Sequence, residues 1–296
     1  MTRKWHIAGG RTLTIGKRTL VMGVLNVTPD SFSDGGDFFS LDSAIEHAEQ
    51  MIAEGADIID VGGESTRPGG AAIVSPEEEQ KRVLPIIEEL AKRTAIPISI
   101  DTTKALVARA ALDAGAAIVN DVSALRFDFH VTEEAAKSGA GLVLMHSRGT
   151  PGAMHGLPAV PDIIEEVTTS LRESIAMAER HGVKRESIVI DPGIGFGKSQ
   201  EQNIELIAKL DQLIAAIPDF PLLIGTSRKS FLGRILADAT GNPAPVDERL
   251  HSSLASLTAA VLKGAHIVRV HDVKATVETL RVAEAIRNSD LTVVSD

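Results

Sequence analysis

The feature that most constrains the fold is a unit of apolar strand, polar break and amphipathic helix that recurs along the chain. The apolar runs are short and continuously apolar, as is typical of strands buried on both faces of a parallel sheet. They are predicted at 20–25, 56–61, 97–100, 117–119, 141–145, 187–190, 221–224 and 265–270. Eight such units in roughly 250 residues predict a (β/α)8 TIM barrel, an α/β fold.

The whole chain, residues 1–296, is predicted to be one domain with a barrel core at about 20–287. A short N-terminal β-hairpin is predicted for residues 5–15, around Gly9-Gly10. Helices are predicted at 41–53, 76–93, 105–114, 132–138, 163–181, 202–215, 248–263 and 274–287, with a further one opening near Lys229. An open doubly wound sheet is the alternative fold, but no GxGxxG follows the first strand.

Composition excludes several classes of protein. The chain has no cysteine, which excludes a disulfide scaffold, a thiolate zinc site and a cysteine nucleophile, and fits a cytoplasmic location. A net charge of −10 argues against a nucleic-acid partner, and an aromatic content of 3% leaves few side chains on which bases could stack. No apolar run reaches roughly 18 residues, so we expect no membrane partner.

A carboxylate, an amide or a cation stands at or beside the end of every predicted strand. In a TIM barrel the active site lies at the carboxyl ends of the strands, so one site explains all of these residues. A single member such as Asp101 is equally well explained as a helix cap. The strand-end residues are Asn26, Asp60, Asp101, Asn120, Asp121, His146, Asp191, Ser227, Arg228, Lys229, Arg269, His271 and Asp272, with Glu64, Ser65, Thr66 and Arg67 in the loop after the second strand.

The chemistry of these residues divides by charge. Four cationic or basic side chains can converge on an anion, and Arg269 and His271 stand two apart on one strand and so point the same way. Carboxylates and amides accept hydrogen bonds from the amino and ring N–H groups of a flat heterocycle. We therefore predict a ligand with an aminopyrimidinone ring at one end and a phosphate or pyrophosphate at the other. The four cationic or basic residues are Arg67, Lys229, Arg269 and His271, and the acceptors are Asp101, Asn120 and Asp191.

Two segments have alternative interpretations. The stretch 191–198, DPGIGFGK, is either a phosphate cradle without the full Walker spacing or a loop that lets the backbone and Phe196 approach a ligand closely. Lys229 is a candidate Schiff-base lysine, but it follows Arg228 directly, and two neighbouring cations favour contact with an anion at least as well.

Eight segments, in order, resemble the dihydropteroate synthase family. The resemblance runs from about residue 20 to 285, reaches every strand end and is of the monofunctional, bacterial type. The segments are GVLNVTPDSFSDGG, DIIDVGGESTRPGG, ISIDTTK, IVNDVS, LVLMHSRGTP, IVIDPGIGFGK, LLIGTSRKSFLG and IVRVHDV.

The resemblance implies a transferase of folate biosynthesis that condenses 6-hydroxymethyl-7,8-dihydropterin diphosphate with 4-aminobenzoate. It also implies Mg²⁺, a homodimer, small-molecule substrates and inhibition by sulfonamides. Catalytic roles would fall to Asn26, Asp101, Lys229, Arg269 and His271.

The same resemblance assigns the binding residues. The pterin would be held by Asp101, Asn120, Asp191 and Lys229, with Met145 and Phe196 packing nearby. The diphosphate would be held by Arg269 and His271, with Thr66 close by, and Asn26 would bind magnesium. The aminobenzoate site would be bordered by Thr66, Arg67, Pro68 and Ser227.

Three other functions stay open on the sequence. A pterin-binding methyltransferase-type domain would share the fold and the ring recognition, and a non-catalytic pterin-binding relative would have lost anion-binding groups. A Schiff-base aldolase would use Lys229 as its nucleophile. The loops 27–37 and 62–75 have no apolar face to bury, and we expect them to be mobile without ligand.

Overall fold

The computed structural model describes residues 2–27, 37–64, 74–150 and 157–292, with side chains from residue 41 of the first helix to residue 289 of the last. The strands are β1 Arg3–Ile7, β2 Arg11–Ile15, β3 Leu20–Asn26, β4 Ile58–Gly62, β5 Ile98–Asp101, β6 Ile118–Asp121, β7 Gly141–Met145, β8 Ile188–Asp191, β9 Leu223–Ile224 and β10 Ile267–Val270. The α-helices are α1 Asp37–Ala53, α2 Pro76–Arg93, α3 Ala105–Asp113, α4 Val131–Ser138, α5 Ile163–Arg180, α6 Gln200–Ala208, α7 Leu210–Ala216, α8 Ser230–Ile235, α9 Leu250–Leu262 and α10 Val273–Thr292.

Eight parallel strands form one sheet in the order β8-β7-β6-β5-β4-β3-β10-β9. A parallel bridge between Ile190 and Leu222 brings β8 beside the start of β9 and closes the sheet on itself. Helices follow the strands on the outside, as a right-handed βαβ connection requires. The prediction of a TIM barrel preceded by a β-hairpin is confirmed.

The amino-terminal end of the barrel is filled by apolar side chains and covered by the hairpin. Trp5 of β1 is fully buried against inward-facing residues such as Met22, Ile118 and Val143. Its indole Nε1 donates to the carbonyl oxygen of Ser187 at 2.8 Å, which satisfies the polar end of the ring. The amino-terminal end of the barrel is therefore closed, and a ligand has to enter at the carboxyl ends of the strands.

A second apolar layer lies between the strands and the surrounding helices. Outward-facing strand residues such as Ile59 and Val119 pack with helix residues such as Val83 and Leu171, and all four are fully buried. Each strand is thus apolar on both faces over most of its length, which explains the continuous apolar runs in the sequence. Within the described residues, no helix is long and apolar enough to cross a membrane.

One predicted element is wrong. The helix predicted at 202–215 is two helices, α6 and α7, because Lys209 has the non-helical dihedral angles φ −109° and ψ 24°. Leu210 and Leu213 of the second helix are fully buried. The apolar pattern continues across the break and therefore does not reveal it.

Candidate active site

The centre of the site is a largely buried cluster of one cation, two carboxylates and an amide at the carboxyl end of the barrel. Arg269 on β10 donates from Nε to Asp60 Oδ2 and from a terminal nitrogen to Asp101 Oδ2, both at 2.6 Å. Asn120 on β6 donates from Nδ2 to the same Asp60 oxygen at 3.0 Å. Four strands therefore contribute one side chain each to a connected network.

Burial and charge oppose each other in this cluster. Burial raises the pKa of Asp101 to about 7, although the Arg269 guanidinium acts in the opposite direction. Burial also disfavours the charge on Arg269, but the Asp60 and Asp101 carboxylates outweigh this effect and raise the arginine pKa. The structure brings together Asp101, Asn120 and Arg269, as the sequence predicted for one site.

Asp60 is the residue whose role sequence reasoning missed. In the sequence it is one of the polar residues near strand ends, but the apolar strand around it gives no indication of a specific contact with the ligand. It is fully buried, and its Oδ1 has no hydrogen-bond partner among the described residues. An acceptor in that state can receive a hydrogen bond from a bound ligand.

The loop after β8, residues 192–199, packs against the end of β7 so closely that only glycine fits. A Cβ on Gly193 would lie 1.8 Å from the carbonyl oxygen of His146, and a Cβ on Gly197 would lie 2.5 Å from that of Arg148. Both glycines have positive φ, 66° and 71°. These two glycines therefore serve close packing of the loop against the protein's own backbone, a role that neither interpretation of the glycine-rich segment included.

Two backbone N–H groups of this loop donate to side chains at the end of β8 and on α6. Asp191 Oδ1 accepts a hydrogen bond from Gly193 N at 2.7 Å, and Asn203 Oδ1 accepts one from Gly195 N at 2.6 Å. Burial raises the pKa of Asp191. Met145 is paired in register with Asp191 and is also buried, so the predicted pterin residues of β7 and β8 are neighbours.

Lys229 directly precedes α8 and reaches across to the loop after β8. Its Nζ donates to the carbonyl oxygen of Ile194 and lies 4.7 Å from the centre of the Phe196 ring. Burial lowers the pKa of Lys229 to about 8, while Asp191 opposes the shift. The structure thus joins Lys229 and Phe196 in a cation–π contact beside Asp191.

The ends of β9 and β10 carry the remaining described candidates. Ser227 Oγ and His271 Nδ1 are 3.1 Å apart, and His271 lines a cleft of about 550 Å³ together with Asn26. Arg228, which has a left-handed φ of 58°, donates from Nε to Asp272 at 2.9 Å. The Arg228 guanidinium is therefore engaged by a carboxylate and does not form the cationic pair with Lys229 that the sequence suggested.

Three predicted site residues, Thr66, Arg67 and Pro68, lie outside the described residues, as do most of the two loops predicted to be mobile. The chain leading to them is described as far as Glu64. The ammonium of Lys104 binds the carboxylates of both Glu64 and the fully buried Glu79 of α2. This ion-pair network ties the start of the loop to the helix that follows it.

Known proteins are similar to this chain in sequence and in fold. The family model described as pterin binding enzyme matches residues 22–271. A dihydropteroate synthase from Synechocystis is 49% identical over 271 residues, which cover 92% of this chain and 91% of the relative. The chain belongs to the dihydropteroate synthase family. The resemblance inferred from the motifs is confirmed.

Solved structures of this family have the same architecture. A dihydropteroate synthase from Xanthomonas albilineans with 4-aminobenzoic acid is 42% identical, has a TM-score of 0.85 and is matched over 96% of this chain and 98% of its own. A structure of the dihydropteroate synthase from the same organism in complex with 7,8-dihydropteroate is 40% identical, has a TM-score of 0.83 and is matched over 95% and 98%. Membership of the dihydropteroate synthase family, with the barrel fold, therefore rests on both sequence and structure.

Proposed function

We propose that the protein condenses 6-hydroxymethyl-7,8-dihydropterin diphosphate with 4-aminobenzoate to give 7,8-dihydropteroate and pyrophosphate. The observation that carries this proposal is the ring of acceptors at Asp101, Asn120 and Asp191, beside the basic groups of Lys229 and Arg269, at the open end of the barrel. Homologous enzymes solved with 4-aminobenzoic acid and with 7,8-dihydropteroate support this substrate and this product.

The pterin end of the substrate suits the acidic side of the site. Buried carboxylates accept hydrogen bonds from ring N–H and amino groups, and such charge-assisted bonds are strong in a site that excludes water. Asp60 Oδ1 adds a buried acceptor without a partner among the described residues. Phe196 and Met145 supply apolar surface for the faces of a flat ring.

The diphosphate end suits Arg269 and His271. A guanidinium has five N–H donors, and Asp60 and Asp101 accept from two of them, so donors remain for a phosphate oxygen. Ser227 lies against His271 and fixes the position of its ring. Positive charge here stabilises the negative charge that develops on the leaving oxygen.

The proposed reaction breaks one bond and forms one. The C–O bond between the pterin methylene and the diphosphate breaks, pyrophosphate leaves, and positive charge spreads over the dihydropterin ring. The amine nitrogen of 4-aminobenzoate then forms the C–N bond and loses one proton to solvent. The carboxylates of Asp101 and Asp191 stabilise the cationic ring, and because an arylamine is already nucleophilic, no strong base is required.

Magnesium is proposed as the metal cofactor, with Asn26 as its protein ligand. Among the described residues no group of three or more His, Cys, Asp or Glu side chains could hold a metal ion, so a cage made only of protein ligands is not formed there. A single amide oxygen fits Mg²⁺, which retains water molecules and shares substrate phosphate oxygens. When bound, the ion would neutralise charge on the departing diphosphate.

A homodimer is proposed on the apolar surface formed by α6, α8 and α9. This surface contains a groove of about 550 Å³ and exposes Ile204, Ile235 and Leu262 to 43%, 52% and 45%. Large contiguous apolar patches are uncommon on monomers, and a second copy of the chain is the occupant that the family resemblance implies. Sedimentation of the wild type as a dimer and of Ile235→Glu as a monomer would support this surface; a dimeric variant would exclude it.

The experiment that tests the function is an assay of pyrophosphate release. Purified protein is given the pterin diphosphate and Mg²⁺, with and without 4-aminobenzoate, and dihydropteroate is quantified in parallel. We expect release that depends on 4-aminobenzoate and equals the dihydropteroate formed. Release at the same rate without the amine would indicate a hydrolase, and no release at all would contradict the proposal.

A further inference from the structure

Lys198 is a partly buried lysine that the proposed reaction does not use. Its Nζ donates to three backbone carbonyl oxygens: Gly193 at 2.8 Å, Phe196 at 3.1 Å and His146 at 3.3 Å. Two of these carbonyls belong to the loop after β8, and the third belongs to the end of β7. The ammonium therefore sits between two loops and joins them.

The three carbonyl acceptors suit an ammonium group. A protonated lysine has three N–H donors, one for each carbonyl oxygen, whereas a neutral amine has one donor fewer. Burial lowers the pKa of Lys198, and Asp191 is the carboxylate that opposes this effect. Methionine, which has a similar volume, would leave all three carbonyls without their donor.

Residues of the predicted pterin site contact the same loop. The Ile194 carbonyl accepts from Lys229, and the Phe196 ring lies against the Lys229 ammonium. Gly193, whose carbonyl Lys198 holds, donates its N–H to the Asp191 carboxylate. A displacement of the loop would therefore disturb the Asp191 carboxylate, the Phe196 ring and the Lys229 ammonium together.

We propose that Lys198 is a positioning residue that fixes the 191–197 segment in the geometry that receives the pterin ring. The inference rests on the proposed function, because it concerns the same pterin site. Lys198 acts through the backbone of Gly193 and Phe196 and does not itself contact the substrate. Its loss is expected to weaken the pterin end of the site and to spare the aminobenzoate end.

Kinetics of Lys198→Met test the proposal. We expect the KM for the pterin diphosphate to rise about tenfold or more, since small misplacements of binding groups carry penalties of that order, while the KM for 4-aminobenzoate changes little. Lys209→Met is the matched control, because Lys209 is an exposed lysine whose ammonium pairs with Glu205 in the preceding turn. The control should leave both constants unchanged.

A merely structural role would give a different result. In that case the melting temperature of Lys198→Met would fall, but both KM values would stay at the wild-type level well below it, and the proposal would be overturned. If Lys198→Met does not fold, Lys198→Gln, whose amide supplies two donors, takes its place; failure of both to fold would assign Lys198 to folding and overturn the positioning role. An inactive wild type would contradict the proposed function, whereas an active wild type with unchanged variants contradicts this inference alone.

Discussion

Arg269 lies between Asp60 and Asp101, and Asn120 completes the contact around the shared Asp60 oxygen. These residues come from strands far apart in the sequence, and each lowers the cost of burying the others. Removing one member of such a cluster leaves a buried charge without its partner, which costs several kcal/mol in typical cases. Substitutions here therefore have to preserve shape and hydrogen bonding if they are to report on the ligand.

Asp101→Asn and Asp191→Asn are each expected to weaken pterin binding. A carboxylate hydrogen bond to a ligand contributes on the order of 1.5–3 kcal/mol, which corresponds to an increase in Kd of roughly tenfold to a hundredfold. Calorimetric titration with pteroic acid measures the change, and Asp113→Asn, at the exposed end of α3, is the control. Unchanged affinity in both variants would remove these residues from the pterin site.

Loss of the proton from Lys229 should give the pH profile of kcat/KM an alkaline limb. Burial lowers its pKa to about 8, so the ammonium is present below that pH and is lost as the pH rises through it. We expect kcat/KM for the pterin diphosphate to fall above about pH 8 in the wild type. Lys229→Arg stays charged and should move this limb to higher pH; because the substrate titrates identically in both proteins, superimposable profiles would refute the assignment.

At the scale of elements, the loop after β8 shows how backbone packing shapes the site. The loop is held by Asn203 from α6, by Lys198 and by its contact with the end of β7. Its glycines allow the loop to pack closely against the end of β7, since a side chain at Gly193 would overlap the His146 carbonyl. The position of Phe196 is thus set by β7 and α6, neither of which has to touch the ligand to do so.

Gly193→Ala and Gly139→Ala form a matched pair that isolates this contact. Both glycines have a φ near 65°, but a Cβ at Gly139 would meet nothing within 4 Å. Gly139→Ala should cost only the left-handed strain of about 1 kcal/mol, whereas Gly193→Ala should cost more and also reduce pterin affinity. Urea unfolding and pterin titration measure the two effects; equal losses in both variants would show that close approach is unimportant.

At the scale of the whole molecule, the barrel is closed at one end and open at the other. The hairpin covers the amino-terminal end through Trp5, while the polar strand ends meet at the opposite end. Stability and ligand recognition are therefore concentrated at opposite ends of one barrel, as is general for this fold.

Trp5→Ala should destabilise the protein without altering the site. Deleting a fully buried indole costs about 3–5 kcal/mol of unfolding free energy, while KM values measured well below the transition should not change. Phe129→Ala, an aromatic residue that is 43% exposed, should cost much less. Unfolding is followed by circular dichroism, because Trp5 is the chain's one tryptophan and its removal abolishes the tryptophan fluorescence signal. Similar losses of unfolding free energy for both variants would mean that the hairpin does not contribute to the core.

The sequence by itself determined the repeating strand–helix unit, the barrel, the polar strand ends and the family, because each of these is written in local patterns and short motifs. Only the tertiary structure decided which strand-end residues meet. Asn120 joins the inner cluster while its neighbour Asp121 accepts hydrogen bonds from Ser123 and Leu125 in its own loop, since adjacent strand residues face opposite sides. Arg269 and Asp60 are 209 residues apart, and the three carbonyls around Lys198 come together only through close backbone packing. Contacts of that range depend on how the strands register around the barrel, and local sequence does not encode that register.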